Sequence, residues 1–307
     1  MTKVMTKAQF VQSYASFGLQ RSLRQIRHAF QSRQTLDQGM DFLLNLIQES
    51  ECRMAAQLQK PVENLRMLEI GPGQGLERAR YFGLKNEVIG IDLDIIPQGF
   101  APGAYLQMLR KNGAGRVAKT LGRRLLIGRA NEAAWAQRLG VTRFRDPKLL
   151  HGNICATLPP LGTFDVVMSW SVFEHLPDPR TALANVLQLL KPGGIFYLSL
   201  HLYTSHNGHH DIRAFTGEED SLPLWGHLRP STQALLNPSA YLNEWRLAHW
   251  RALFGELTPG YQEILEPFES KARFGARLTP VERAELQEFS DEELYTVNAV
   301  YLYQRPF

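Results

Sequence analysis

In the stretch "MLEIGPGQG", Glu69 closes an apolar run and is followed at alternate positions by Gly71, Gly73 and Gly75. A loop with so little side-chain bulk lets a ligand approach the backbone closely, and a carboxylate at its mouth sorts ligands by charge. It repels a pyrophosphate, yet it receives an ammonium group and faces a sulfonium. Asp92 stands 21 residues after Gly71, at the end of a second apolar run, "EVIGIDLD". A carboxylate there can grip ribose hydroxyls, but the same spacing suits a nicotinamide dinucleotide. Two further features bear on the choice. The glycines run G-x-G-x-G, with Leu76 where a dinucleotide loop would carry its third glycine. "GNI" (152–154) follows a third apolar run, so that Asn153 can meet an adenine amino group while Ile154 covers the ring.

A second concentration of chemistry lies in "HLYTSHNGHHDIR", where His201, His206, His209, His210 and Asp211 fall within eleven residues. Three roles compete for it. His206, His209 or His210 can act as a general base, since imidazole titrates near neutrality. H-x-x-H-H-D also has metal-ligand types, but no defined spacing template, so a metal is not expected. The third role is hydrogen bonding within the loop. His175 in "FEHLPDP" is a separate candidate, either acting on the acceptor or bracing its loop.

The elements that must position these residues are legible from periodicity. Residues 8–60 read as helices, with Phe42, Leu43, Leu46 and Ile47 on one face. Strands are expected over 65–70, 87–94, 148–154, 164–170 and 195–200, and "LERARYFGL" reads as a helix. Asp178 caps a helix that Pro179 opens and Leu183, Val186, Leu187 and Leu190 stripe. "SAYLNEWRLAHWRALFGEL" (239–257) reads as another helix, and "TVNAVYLYQ" as a late strand entering antiparallel, at or near an edge. Strands alternating with helices predict an α/β fold with a doubly wound, mostly parallel sheet. The expected organisation is an N-terminal helical cap over 1–64 and a main domain over 65–307. That domain carries an insertion at 95–147 and an acceptor-binding region at 201–250.

Taken in order, "LEIGPGQG", "VIGIDLD", "GNICATLP", "FDVVMSWSVFEHLPDP" and "LKPGGIFYLSL" resemble the motifs of class I S-adenosylmethionine-dependent methyltransferases, over roughly 65–200 without the insertion. The resemblance implies a Rossmann-like fold and S-adenosylmethionine as cofactor, with S-adenosylhomocysteine as product. It implies that Glu69 and the 71–75 loop hold the methionine end and that Asp92, with Leu93, binds the ribose. It likewise gives Asn153 and Ile154 to the adenine, and Ser169 and Trp170 to the floor near the sulfonium. Many members have Asp where this chain has Asn153, and Asn still offers the adenine amino group an acceptor.

Composition limits the remainder. The 307 residues carry a net charge of +4, but residues 1–36 and 95–131 hold thirteen basic residues and no acid. The remaining chain is therefore acidic, which points to an anionic partner or to solvated helix faces. The basic insertion, with Val117, Leu121 and Leu125 on one helical face, reads as a lid over the acceptor or as a helix contacting anionic lipid. It lacks the interleaved aromatics of a nucleic-acid surface. Two separated cysteines, no secretory segment and no membrane-spanning run make the cytoplasm the default location. Trp225, Tyr241, Trp245 and Trp250 can supply aromatic walls or core. These features fit O-methylation of a small molecule such as a sugar, glycolipid or secondary metabolite. N-methylation, a non-catalytic interaction protein and a nicotinamide enzyme are the alternatives.

Overall fold

The computed structural model describes residues 33–94, 128–158, 160–215, 218–266 and 270–307, with scattered positions between 103 and 121. The helices expected over 8–32 and the basic face of the insertion (Lys111, Arg116, Lys119, Arg123, Arg124) lie outside the described residues. No described helix is long and apolar enough to cross a membrane.

Seven strands form one sheet: β1 (Arg66–Ile70), β2 (Glu87–Asp92), β3 (Lys148–His151), β4 (Phe164–Trp170), β5 (Leu190–His201), β6 (Gln262–Glu266) and β7 (Asn298–Gln304). Their order is β3-β2-β1-β4-β5-β7-β6. β1 pairs in parallel with β2 and β4, and β2 with β3, whereas β6 and β7 are antiparallel. From β1 the chain steps outward to β3 and then returns to β4 on the other flank. Strand order therefore reverses between β1 and β4, the switch point beyond which doubly wound sheets bind ligands. The late strand lies one place in from the edge and pairs antiparallel with β6. The edge position is taken by β6, which the sequence reading did not anticipate.

The chain divides into two compact units. One contains β1 to β3, β4 up to Ser169, and the described helices α1 (Arg33–Leu58), α2 (Glu77–Phe82) and α3 (Arg129–Arg138). β1, β2 and β4 are buried runs, as expected of the inner strands of a parallel sheet; Met67, Leu68, Val166, Val167 and Met168 are fully buried, whereas β3 is exposed or half-buried throughout. In α1 the buried stripe is Met40, Ile47, Ser50 and Met54, while Phe42 is 47% exposed. The expected face is thus corrected: Ile47 belongs to it and Phe42 does not.

The other unit contains 170–184 and 197–303. The first turns of α4 (Pro179–Leu189) begin as expected, with the Asp178 carboxylate accepting from the Thr181 backbone N–H at 3.0 Å. The helix α5 covers only Leu247–Leu257. Residues 241–246 are irregular instead of helical. Asn243 accounts for the late start: its side-chain amide donates to the carbonyls of Phe173 and Leu176 and its backbone N–H to that of Glu174, so this stretch is tied to another turn instead of its own helix. Trp225 and Trp250 are 0% and 1% exposed, so both are core. Trp225 packs in an apolar cluster with Phe274, Leu278, Leu294 and Tyr295. Its indole N–H donates to the Leu294 carbonyl.

Candidate functional site

β1 delivers Glu69 into a buried position, 2% exposed, at the switch point. Its Oε2 is buried without a hydrogen-bond partner. Burial raises its pKa to about 7, against the pull of Arg78, and the charges of Glu77 and Asp92 raise it further. The glycines after it are required by geometry. Gly71 and Gly73 have φ of 65° and 69°, the left-handed region that side chains resist. At Gly75 a Cβ would meet only the Glu77 carboxylate, the end of a flexible side chain that can swing aside, so the requirement rests on Gly71 and Gly73. Leu76 also adopts a left-handed backbone, φ 57°. A glycine would reach that conformation without the roughly 1–2 kcal/mol an L side chain loses there. The Leu76 side chain, 4% exposed, recovers this through burial.

The rest of the loop is clamped. Gly71 N–H donates to Ile91 O at 2.8 Å, and the Arg80 guanidinium reaches Gly75 O at 3.3 Å. Arg80 is itself held by Asp146 and Glu132. Trp135 of α3, 1% exposed, donates to the Glu77 carbonyl, so the end of the insertion anchors α2.

At the end of β2, Asp92 accepts the backbone N–H of Asp94 at 2.7 Å, and Leu93 beside it is half-buried. After β3, the Asn153 side-chain oxygen accepts from Cys155 N–H at 2.9 Å. Ile154 is 4% exposed. Asn185 of α4 donates to the carbonyls of Ile154 and Ala156, fixing this turn from behind. Ser169 is fully buried, its hydroxyl donating to Ile70 O at 3.2 Å, which ties β4 to β1. In the second unit, Trp170 is half-buried against Tyr197, with ring centroids 5.4 Å apart.

The second unit also assembles six histidines in ring contact or within one cluster. His210 lies 4.9 Å from His175 and 4.6 Å from His201 between centroids, and His209 lies 5.4 Å from His227. His206 stacks on Phe274 at 4.0 Å. Burial depresses all of them: His206 and His209 to about 4, His210 to about 2, and His175 also downward. They are neutral rings at pH 7. His206, His209, Phe274, Arg277 and Asp220 line a small open cleft. Asp211 is fully buried and is gripped by Arg213 through both oxygens, at 3.0 and 2.7 Å. It braces the loop.

The sequence matches the family described as "Methyltransferase domain" over residues 19–251. The chain belongs to this methyltransferase family. The trans-aconitate 2-methyltransferase of Deinococcus radiodurans is 25% identical over 208 residues, covering 60% of this chain and 79% of that protein. A ubiquinone biosynthesis O-methyltransferase of Escherichia coli is 36% identical over 64 residues, 20% of this chain and 25% of that protein. Among solved structures, the plantazolicin methyltransferase BpumL in complex with SAH is 15% identical, covers 96% of this chain and 94% of that chain, and has a TM-score of 0.47.

The methyltransferase is of class I and uses S-adenosylmethionine. Its residues fit that cofactor on physical grounds. A buried carboxylate oxygen without a donor is an unfavourable group, and Oε2 of Glu69 is one. An ammonium group placed against it supplies both charge and hydrogen bond. Four contributors escaped the sequence reading: Arg80, Asn185, Glu174 and His227. Arg80 and Asn185 sit on helices in ordinary amphipathic company, and only their long-range partners reveal them. His227 is buried, with one ring nitrogen 2.6 Å from Tyr203 O.

Proposed function

We propose that this methyltransferase transfers a methyl group from S-adenosylmethionine to an oxygen of a small-molecule acceptor. The observation that carries the donor half is the partnerless Oε2 of Glu69 above the glycine loop. Glu69 holds the donor's ammonium group, and Gly71, Gly73 and Gly75 admit the methionine chain. Asp92 and Leu93 meet the ribose, and Asn153 and Ile154 the adenine. Ser169 supports the floor by holding β4 to β1, and Trp170 continues it. Displacement at a sulfonium methyl needs mainly alignment, with reacting atoms about 3–3.5 Å apart, and dryness.

Support for an oxygen acceptor comes from the two relatives named above, one an O-methyltransferase and one acting on trans-aconitate, to judge by its name. It also comes from the neutral histidines. A hydroxyl acceptor must lose a proton; His206 and His209 present neutral imidazoles for it, though burial makes them weak bases, and His175 and His210 are the further candidates where no metal ion engages them. A sugar, glycolipid or secondary-metabolite hydroxyl fits this chemistry, and the cytoplasm is the expected setting.

The test is a titration with S-adenosylmethionine by calorimetry, followed by transfer of a labelled methyl group to a panel of hydroxyl, carboxylate and amine acceptors. Donor binding with label in the hydroxyl or carboxylate class supports the reading. Absence of heat, or label confined to amines, overturns it.

A further inference from the structure

We infer that Glu174, His175 and His210 form a binding site for one divalent transition-metal ion, with zinc-like ligand preference. One ligand atom from each of the three lies within 4.8 Å of the other two. Bound at 2.0–2.1 Å, tetrahedral ligands sit about 3.4 Å apart, so small side-chain rotations close the site.

Two features single this set out from an ordinary buried cluster. Glu174 is 2% exposed, and its Oε2 has no hydrogen-bond partner, while Oε1 accepts only a long 3.3 Å bond from His201 N–H. His175 Nδ1 lies 2.7 Å from the Tyr241 carbonyl, which can only accept. The proton is therefore on Nδ1 and the lone pair on Nε2, the arrangement that outer-sphere carbonyls impose on metal-binding histidines.

The backbone under all three is fixed in advance. Asn243 donates its side-chain amide to Phe173 O and Leu176 O and its N–H to Glu174 O, locking the 3₁₀ turn Phe173–His175. Ser239 donates twice to His210 O, at 2.7 and 2.9 Å, holding that residue at φ 48°. A non-glycine residue held in that region is strained, and such strain collects where side chains must be aimed.

Two imidazoles and one carboxylate favour zinc, or iron(II), cobalt and manganese, over magnesium, and they leave coordination positions for an oxygen ligand. The set differs from the H-x-x-H-H-D stretch considered in the sequence. Asp211 is committed to Arg213, and His209 Nδ1 accepts the Asp211 N–H at 2.8 Å. A role in polarising the acceptor's oxygen rests on the proposed oxygen acceptor, whereas ion binding stands on these residues alone.

The test uses the full chain, stripped with chelator and titrated with zinc by calorimetry, with cobalt substitution read by visible absorption. One equivalent should bind, and cobalt should show the intense bands of four- or five-coordination. Glu174→Gln and His175→Asn should each weaken zinc by more than the 10–100-fold typical of an outer-sphere change. His206→Asn should bind normally. Absence of stoichiometric uptake by the folded wild type, or uptake lost in His206→Asn but kept in both ligand variants, overturns the site. Should a ligand variant fail to fold by circular dichroism, the wild-type stoichiometry and cobalt spectrum decide. Donor titration and methyl transfer on the same samples separate the two readings: zinc uptake without transfer to oxygen leaves the site standing, and transfer to oxygen without zinc uptake removes it.

Discussion

The side-chain amide of Asn185 donates to the backbone carbonyl of Ile154 at 2.7 Å and, more weakly, to Ala156 at 3.1 Å. Helix α4 thus fixes the turn that carries Asn153 and Ile154, the pair assigned to the adenine. Asn185→Leu keeps the helix but deletes both bonds and leaves two carbonyls to find water. Donor affinity should fall several-fold, with about 1–2 kcal/mol of stability lost. Calorimetric titration and urea unfolding read the two effects separately. Unchanged affinity would mean that the turn positions itself.

Glu69 makes donor binding depend on pH. Its pKa is near 7 in the empty protein, and only the carboxylate attracts an ammonium group. Below pH 7 the dissociation constant should rise about tenfold per unit, because each binding event must expel a proton. Above about 8 the donor's own amino group loses its charge and affinity should fall again. Glu69→Gln should bind more weakly at neutral pH and lose the acid limb of this profile. A wild-type profile flat from pH 5 to 7 would detach Glu69 from the ammonium.

Much of this donor site is legible in one dimension. The glycine spacing, the acid at the end of β2 and the Asp178–Pro179 helix start are local signals, each with a local physical cause. Leu76 is a subtler case: the sequence marks it as a missing glycine, yet its backbone still adopts the glycine-like conformation. What escapes is long-range. Glu174 does not stand out in the sequence, and its turn is held by Asn243, seventy residues past Phe173. The same amide explains why the apolar pattern of 239–257 yields a helix only from Leu247. Tertiary hydrogen bonding overrides helical periodicity there.

Gly90 supplies a test of packing behind the glycine loop. A Cβ at this position would lie 2.7 Å from Leu149 Cδ2 and 2.9 Å from Pro72 Cγ. Leu149 can turn aside, but Pro72 sits between Gly71 and Gly73 on a stiff ring. Gly90→Ala should therefore press on the loop, weakening donor binding about tenfold and costing about 1–3 kcal/mol of stability. A parallel loss of stability without any change in donor affinity would show that the loop yields freely.

The buried titratable groups of the second unit, together with Glu69, predict a stability optimum near pH 7. His201, His206, His209, His210 and His227 have folded pKa values between about 2 and 4, below the ordinary 6.5, because burial disfavours the imidazolium. His175 is shifted the same way. As pH falls from 6.5 toward 4, the unfolded chain takes up protons that the folded chain refuses, so folding weakens. Glu69 and Glu174 act in the opposite sense. Their raised values, about 7 and about 8, add stability below the unfolded value near 4.5 that is lost as pH rises through 7 to 8. Near pH 5 the unfolded state then holds roughly three more protons, five from the histidines at about 4 or below less two from carboxyls. Stability should drop there by up to about 4 kcal/mol per pH unit. Urea unfolding from pH 5 to 9 checks the profile, and His227→Gln should shallow the acid limb by about one proton. A bound metal ion at Glu174, His175 and His210 should steepen that limb, since acid would then also expel the ion. Zinc-loaded and chelated samples with superimposable acid limbs would show that the ion contributes nothing to this profile.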